Sequence, residues 1–337
     1  MMQTGLFDWQ TRFEQLDNSG DPLVKLNEIV NWEQFRGTLE KIRDKDRKSN
    51  AGRKPFEVVL MFKIMILQSL YNLSDDQIEF QIRDRLSFMR FLSLGIGDTV
   101  PDAKTVWLFR EQLTEAKLIK KLFKQFDRFL RQKGFSAKKG QIVDASIVSA
   151  PKQRNSRDEN KSIKDGNIPD DWSENKKRQK DTQARWIKKN GINQFGYKNH
   201  IDVDVKYKLI RDYEVTPASV HDSHVFEKLL DKNNSSKDVW ADSAYGSSEK
   251  KSTLIEKGYR GHIQKKGCRY KKLSQRGIEA NYRRAKVRSR VEHVFGVQAM
   301  RAGSLLIRTI GLVRAKAKVG LRNLAYNIDR YCLLAMA

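Results

Sequence analysis

Residues 141–151, QIVDASIVSAP, decide how the rest of the chain is read. The β-branched residues Ile142, Val143, Ile147 and Val148 predict a strand that ends by Pro151. Asp144 lies inside that strand, where a carboxylate is costly unless it is paired or binds a metal. Downstream, YKNHIDVDVKYKLIRDYEVTPAS (197–219) reads as a hairpin of two strands turning around Tyr207 and Lys208. HDSHVFEKLLDK (221–232) reads as a short helix, and KDVWADSAYGSSE (237–249) as a fourth strand, Asp238 to Ala241, running into a glycine-containing turn. The polar stretch from Lys152 to Asn190, with Asp-Gly, Pro169 and a KKRQK run, separates the first two strands and reads as an insertion or flexible arm. Two helical patterns close the chain: AKVRSRVEHVFGVQA (285–299) and VGLRNLAYNIDRYCLLA (319–335), the latter with Leu321, Leu324, Ile328 and Cys332 at helical spacing.

Upstream of the deciding strand the pattern is helical. FEVVLMFKIMILQSLYNLSDDQIEFQIRDRLSFMRFLSL (56–94) is broken by turn formers at Asn72 to Asp75, and Ser74 followed by Gln77 predicts a capping box opening the second helix. Met61 and Met65 read as core fillers. After Gly95 and Gly97, Asp102 caps a further helix, PDAKTVWLFREQL, and an amphipathic run, EAKLIKKLFKQFDRFLRQKG, ends at Gly134. The expected class is therefore α+β: a helical domain over residues 1–135, then a mixed α/β domain over 136–337 with an insertion at about 152–190 and a helical C-terminal tail.

Of 337 residues, 66 are Lys or Arg and 41 are Asp or Glu, a formal net charge of +25. Such a balance excludes an ordinary metabolic enzyme and points to a polyanionic partner. The cations cluster: Gln264 to Arg290 holds one acid, Glu279, and Arg301 to Arg322 holds none. Tyr270 and Tyr282 interleave with them, as on surfaces that track phosphates and stack bases. No apolar run approaches the ~20 residues of a membrane span, and MMQTGLFDWQTRFEQLD lacks the layout of a secretory signal, so a cytoplasmic, membrane-free protein is expected. Two cysteines, Cys268 and Cys332, form neither a disulfide framework nor a zinc site, leaving oxygen or imidazole as metal ligands.

Two more acids join Asp144 by position. Asp242 follows VWA at the end of a strand, where open α/β sheets place ligand sites. Glu292 follows Val291 on a helix whose apolar stripe is Val287, Val291, Val294, Phe295 and Gln298, which puts it at the rim of the buried face. Arg284, Arg288 and Glu292 stand four apart, in one stripe. Two strand-borne acids and one helix-borne acid suit Mg²⁺ or Mn²⁺. The bland reading of Arg288 and Glu292 is a solvated i,i+4 salt bridge.

IVDASIVSAP, FGYKNHIDVDV, VWADSAYGS and KVRSRVEHVFG, in that order and followed by a basic helical tail, resemble the transposases of the IS5 group of insertion sequences, within the DDE, RNase H-like class. The resemblance covers about residues 140–330 and extends to the helical N-terminal half. It implies an RNase H-like catalytic domain with Asp144, Asp242 and Glu292 as the metal-binding triad. It also implies double-stranded DNA as partner, both terminal inverted repeats and target, and a homodimer or higher assembly in the synaptic complex. Around the third acid the family places Tyr, Arg, Glu and Lys at fixed intervals. Arg288 matches, Ala285 and Ala299 occupy the Tyr and Lys positions, and Tyr282 and Arg301 stand nearby as substitutes.

Two divalent ions about 3.5–4 Å apart, bridged by one aspartate, would then serve an in-line displacement at phosphorus, first by water and next by the freed 3′-hydroxyl. Lys198 and His200 are candidates for phosphate contact, against a reading as a hairpin lysine and a core histidine. Tyr245 is a candidate to stack on DNA or to hydrogen-bond it, while Trp240 reads as core. His221 and His224 have an i,i+3 spacing that suits helix capping better than a metal. The N-terminal helices either read DNA, through Lys104, Thr105 and Arg110, or dimerise. Two competing functions are a catalytically silent DNA-binding regulator and a stand-alone metal-dependent nuclease.

Overall fold

A computed structural model describes residues 8–44, 54–189, 191–267, 272–303 and 305–336. Cys268 and Tyr270 lie outside the described residues. The chain divides into two compact units, one of Met1–Phe126 with Leu321–Ala337, the other of Asp127–Gly320.

In chain order the helices of the N-terminal region are α1 (Asp8–Asn18), α2 (Pro22–Ile29), α3 (Arg36–Leu39), α4 (Val58–Tyr71), α5 (Asp75–Asp84), α6 (Leu86–Leu92), α7 (Ala103–Glu115) and α8 (Leu118–Gln132). α4 is apolar nearly all round, and Val58, Phe62, Ile64, Met65, Ile66 and Leu67 are sealed from solvent. Phe62 packs against Phe35 (4.8 Å between ring centres) and Trp32 (6.3 Å). α4 ends at Asn72, whose left-handed φ of 51° stops the helix. The capping box at Ser74 and Gln77 then opens α5 as the sequence predicts. Arg110 of α7 forms a two-pronged ion pair with Asp75 (2.6 and 2.7 Å) and also donates to Gln68, tying three helices together. Among the described residues no single helix is long and apolar enough to cross a membrane.

The second unit is built on six strands: β1 (Gln141–Ser149), β2 (Arg185–Lys189), β3 (Ile192–Asp204), β4 (Ile210–Pro217), β5 (Asp238–Ala241) and β6 (Arg260–Ile263). β1 is central, antiparallel to β3 and parallel to β5, and β6 runs parallel to β5. β4 and β2 both pair antiparallel with β3, along Tyr197–Val203 and Ile192–Gly196 respectively. Antiparallel strands on one side of a central strand and parallel strands on the other are the layout of an RNase H-like sheet. Two glycines permit the close approaches. Gly140 (φ 89°) lets the chain enter β1 where a Cβ would stand 2.4 Å from the Trp240 ring. Gly196 (φ 151°) crosses β1 where a Cβ would stand 2.2 Å from the Val148 carbonyl oxygen.

The remaining helices are α9 (Arg157–Lys164), α10 (Glu174–Gln179), α11 (Phe226–Leu229), α12 (Ser248–Glu256), α13 (Gln275–Ala302) and α14 (Leu312–Ala335). One face of the sheet carries the apolar cluster of Val143, Phe226, Leu229, Tyr245 and Leu254. α13 packs against β1 and β5 through the buried Val291 and Val294. The hairpin end is fixed by a buried ion network: Arg211, fully enclosed, donates to Asp204 (3.0 Å), Asp127 (2.9 Å) and the Phe135 carbonyl (2.6 Å).

One expectation needs amendment. The stretch 152–190 holds ordered elements, α9, α10 and β2. It is stitched by a capping box at Ser156 and Glu159 and by Asp181 accepting from the Tyr197 hydroxyl at 2.7 and 2.9 Å, which makes it an insertion and not a loose arm. The compact units divide after Phe126, within α8. Residues 321–337 group with the helical unit because their stripe of Leu321, Leu324, Ala325 and Ile328 is buried there, with Tyr331 against Phe126 (6.0 Å) and Arg322 donating to Asn72 (3.2 Å).

Candidate active site

Three elements deliver the acids. Asp144 is the fourth residue of β1, Asp242 follows β5 directly, and Glu292 lies on α13. Alternation along β1 sets Asp144 on the face opposite Val143 and its apolar cluster. One Asp144 oxygen, Oδ1, accepts from the N–H of Ala145 at 2.8 Å, and the other, Oδ2, accepts from Nε of Arg288 at 3.2 Å. Arg288 also donates to Gln264 just past β6, and its Nη2 stands 4.0 Å from Oε1 of Glu292. Asp242 caps the short 3₁₀ turn Ser243–Tyr245 by accepting from the N–H of Ala244 at 2.8 Å, so the backbone itself fixes its carboxylate. Burial raises the Asp144 carboxyl above its ordinary range; Arg288 opposes the rise and the charge of Asp242 adds to it. Glu292 is the open member, with 67% of its side chain exposed. Asp144 and Glu292 thus both approach the Arg288 guanidinium, and the charge of Asp242 acts on Asp144.

Other expected contact residues fall elsewhere. Lys198 is buried, its ammonium donating to Asp222 and to the Val220 carbonyl, both at 2.8 Å, so it has no surface to offer a phosphate. His200 is sealed from solvent, with Nε2 at 2.8 Å from the Thr216 hydroxyl. Burial pushes its pKa down to about 4, the neighbouring Asp222 opposing, which leaves a neutral ring. Its other nitrogen, Nδ1, has no hydrogen-bond partner and stands 3.8 Å from Asp222. Tyr245 is fully buried against Phe226 (4.9 Å between ring centres), which corrects its reading as a surface stacker. Arg110 is likewise withdrawn from any DNA role by its buried pair with Asp75, whereas Lys104 on the same helix is exposed. Arg284 is half-buried and donates to Asn281 at 3.3 Å, and Arg301 is exposed in the last turn of α13. Tyr282 is 77% exposed. His221 caps its turn through Ser223, as expected, and Trp240 is half-buried, stacked on His262 at 4.8 Å.

Two residues of the site escaped the sequence. Asp222 lies within HDSH, a segment read for its histidines, and Gln264 opens a basic run read for its charge. Neither residue type in those settings announces an active-site neighbour.

Among the described residues, no three acids or histidines stand close enough to enclose a metal ion by themselves. The donor chemistry nevertheless fits a hard divalent cation: the set is carboxylate oxygen without sulfur, and the space between Asp144 and Glu292 is already a place of positive charge, supplied by Arg288.

An RNase H-like sheet presenting strand-borne and helix-borne acids around an arginine defines a candidate phosphoryl-transfer site. Comparison with known proteins gives the family. The transposase domain DUF772 matches residues 11–112, and the transposase DDE domain matches residues 136–328. The chain belongs to the transposase DDE domain family, whose members use divalent metal. Among solved structures it is similar to the piggyBac transposase in a cryo-EM synaptic complex with hairpin DNA, at 12% identity and a TM-score of 0.48, covering 94% of this chain and 75% of that one.

Proposed function

We propose that this DNA transposase serves an insertion sequence of the IS5 group, binding the terminal inverted repeats and carrying out phosphodiester hydrolysis followed by strand transfer. The observation that supports this most is the meeting of Asp144 and Glu292 on Arg288, with the charge of Asp242 acting on Asp144. Asp144, Asp242 and Glu292 would hold Mg²⁺, or Mn²⁺ in its place. A bound divalent cation supplies positive charge at the phosphoryl oxygens and activates the attacking oxygen. Asp242 stays fixed by its cap, so one carboxylate is preorganised. Arg288 offers a guanidinium to the same region, where it balances the acids and, with DNA present, faces a phosphate. Exposed cations along α13, among them Arg276, Arg283 and Lys286, give the backbone of DNA a track beside the acids. Joining both transposon ends calls for a dimer or higher assembly in the synaptic complex, on DNA in the cytoplasm.

Glu292→Gln tests the assignment. The variant keeps the size of the side chain and removes its charge, so DNA-end binding should persist while cleavage in Mg²⁺ is abolished. Retained cleavage would overturn the triad. A strand-transfer assay with a donor end and supercoiled target distinguishes the transposase from a nuclease, which cuts without joining, and from a silent binder, which does neither.

A further inference from the structure

β2 and residues 192–195 of β3 form a two-stranded ribbon that runs on beyond β1. The β1 pairing reaches only to Ser149 opposite Gly196, whereas β2 pairs along 192–196 and is the last strand in the sheet. The register sets Lys189 opposite Ile192, and Gly191 takes the positive φ of 80° that so tight a reversal needs. The root of the ribbon is braced. Phe195 and Ala184 are buried, the Phe195 carbonyl accepts from the N–H of Ala150 at 2.9 Å, and Arg185 donates to the Ile163 carbonyl at 3.0 Å. Gln183, just before it, accepts from the N–H of Leu312 at 2.6 Å. Towards the turn the ribbon opens to solvent: Lys188, Lys189 and Asn193 are exposed, and so are Trp186 at 44% and Ile192 at 63%. A bare edge with apolar groups invites another strand, and adjacent lysines discourage it. They favour a polyanion instead, because from Thr182 to Ile201 the sequence holds no Asp or Glu.

The ribbon also lies where a duplex leaving the acids would run. β1 and β5 are parallel with Ile142 beside Trp240, so Asp144 and Asp242 stand level, and the ribbon projects from the end of the sheet at which β5 delivers Asp242. At about 3.4 Å per residue along the strands, the ribbon starts about 17 Å from Asp144 and its turn lies roughly 30 Å away, close to one ~34 Å turn of B-DNA. A two-stranded ribbon is narrow enough to enter the major groove. Lys188 and Asn193 are cross-strand partners and share a face, which sets a phosphate-binding cation beside an amide able to meet a base edge.

We propose that this ribbon is a DNA-binding arm, which enters the major groove about one turn from the scissile phosphate, with Lys188 and Lys189 on phosphates and Asn193 at base edges. It rests on the reading that the chain binds and cuts transposon ends, and it adds a contact remote from the acids.

The test uses the full chain and its Lys188→Gln/Lys189→Gln variant. DNA affinity is titrated across salt with the duplexes that flank the gene, each about 40 base pairs or roughly four turns long, and with a scrambled duplex. Both side chains are exposed, so the variant should unfold at the parent's temperature. Its affinity at about 100 mM salt should fall roughly tenfold or more, and its slope of log affinity against log salt by about two. Methylation of guanine N7 obstructs the major groove, so at guanines about one turn from the cleavage point it should weaken binding by the parent and leave the variant unaffected. An unchanged slope overturns the proposal, and so does the absence of that interference in the parent or its persistence in the variant. A change of mass in sedimentation without DNA would overturn it too, by making a second copy the occupant. If the parent binds and cuts the flanking duplex and the variant matches it throughout, the ribbon's role alone fails. If the parent neither prefers the flanking duplex to the scrambled one nor cuts it, the transposon-end reading fails and takes the ribbon's role with it.

Discussion

Arg288 donates through Nε to Asp144, although 144 positions separate them in the chain, and the bond ties α13 to the central strand β1. Both side chains are largely buried, 22% and 16% exposed. The pair therefore differs from the solvated i,i+4 contact that spacing alone suggests between Arg288 and Glu292. A charge-assisted hydrogen bond in such a setting contributes about 1.5–3 kcal/mol.

Arg288→Met should accordingly lower the unfolding temperature by a few degrees, at about 1–2 °C per kcal/mol for a chain of this size. It leaves Asp144 desolvated without its cation. Adding Asp144→Asn should recover part of the loss, since the stranded charge is then gone. Calorimetry on the single and double variants measures the coupling; strictly additive effects would show that the two side chains do not interact.

The salt dependence of DNA binding follows from charge. With six or more phosphates contacted, affinity should fall roughly 10³-fold or more between 50 and 200 mM salt. Arg283 and Lys286 are exposed on α13, and replacing both with Gln should reduce the slope of log affinity against log salt by about two, equally for all sequences. An unchanged slope would place the DNA track elsewhere.

His200 gives stability a dependence on acid. Its ring is neutral in the folded protein, with a pKa pushed down to about 4 by burial, while in the unfolded chain it titrates near 6.5. The unfolded state therefore binds the extra proton first, and stability falls as pH drops from about 6.5 towards 4. His200→Gln should show a shallower loss over that window in urea titrations. An identical acid profile would mean that His200 is protonated in the native state.

Much of the fold was legible because local signals and tertiary demands agree. Pro151 and the β-branched run bound β1, the strand Asp238–Ala241 appears with the expected limits, and Ser74 with Gln77 forms its box. β6 was not legible. Arg260–Ile263 is four residues with no alternation, and it becomes a strand only because β5 pairs with it. β2 hid in a polar insertion for the same reason. The acids stood out because carboxylates at such positions have no packing rationale, whereas Lys198, His200 and Arg110 misled. A cation in a sequence is expected at the surface, and only the fold reveals that Asp222, burial and Asp75 have claimed these three.

Asp202 supplies the opposite pH dependence from His200, and from the same strand. It is fully enclosed at a bulge in β3, and neither carboxylate oxygen has a hydrogen-bond partner. Burial raises its pKa well above the ordinary range; Asp231, Asp212 and Asp204 add to the rise and Arg211 opposes it. A carboxyl that holds its proton more tightly when folded favours the native state at low pH, below the unfolded value near 3.9. That contribution is lost as pH rises through the folded value. Asp202→Asn, neutral at every pH and of nearly the same size, should unfold at a higher temperature than the parent at pH 8 and at about the same temperature at pH 4. Melting curves across that range decide it: a gap that widens with pH identifies Asp202 as an acid kept neutral by the core, while a variant less stable at pH 8 would show that the charged carboxylate is accommodated there.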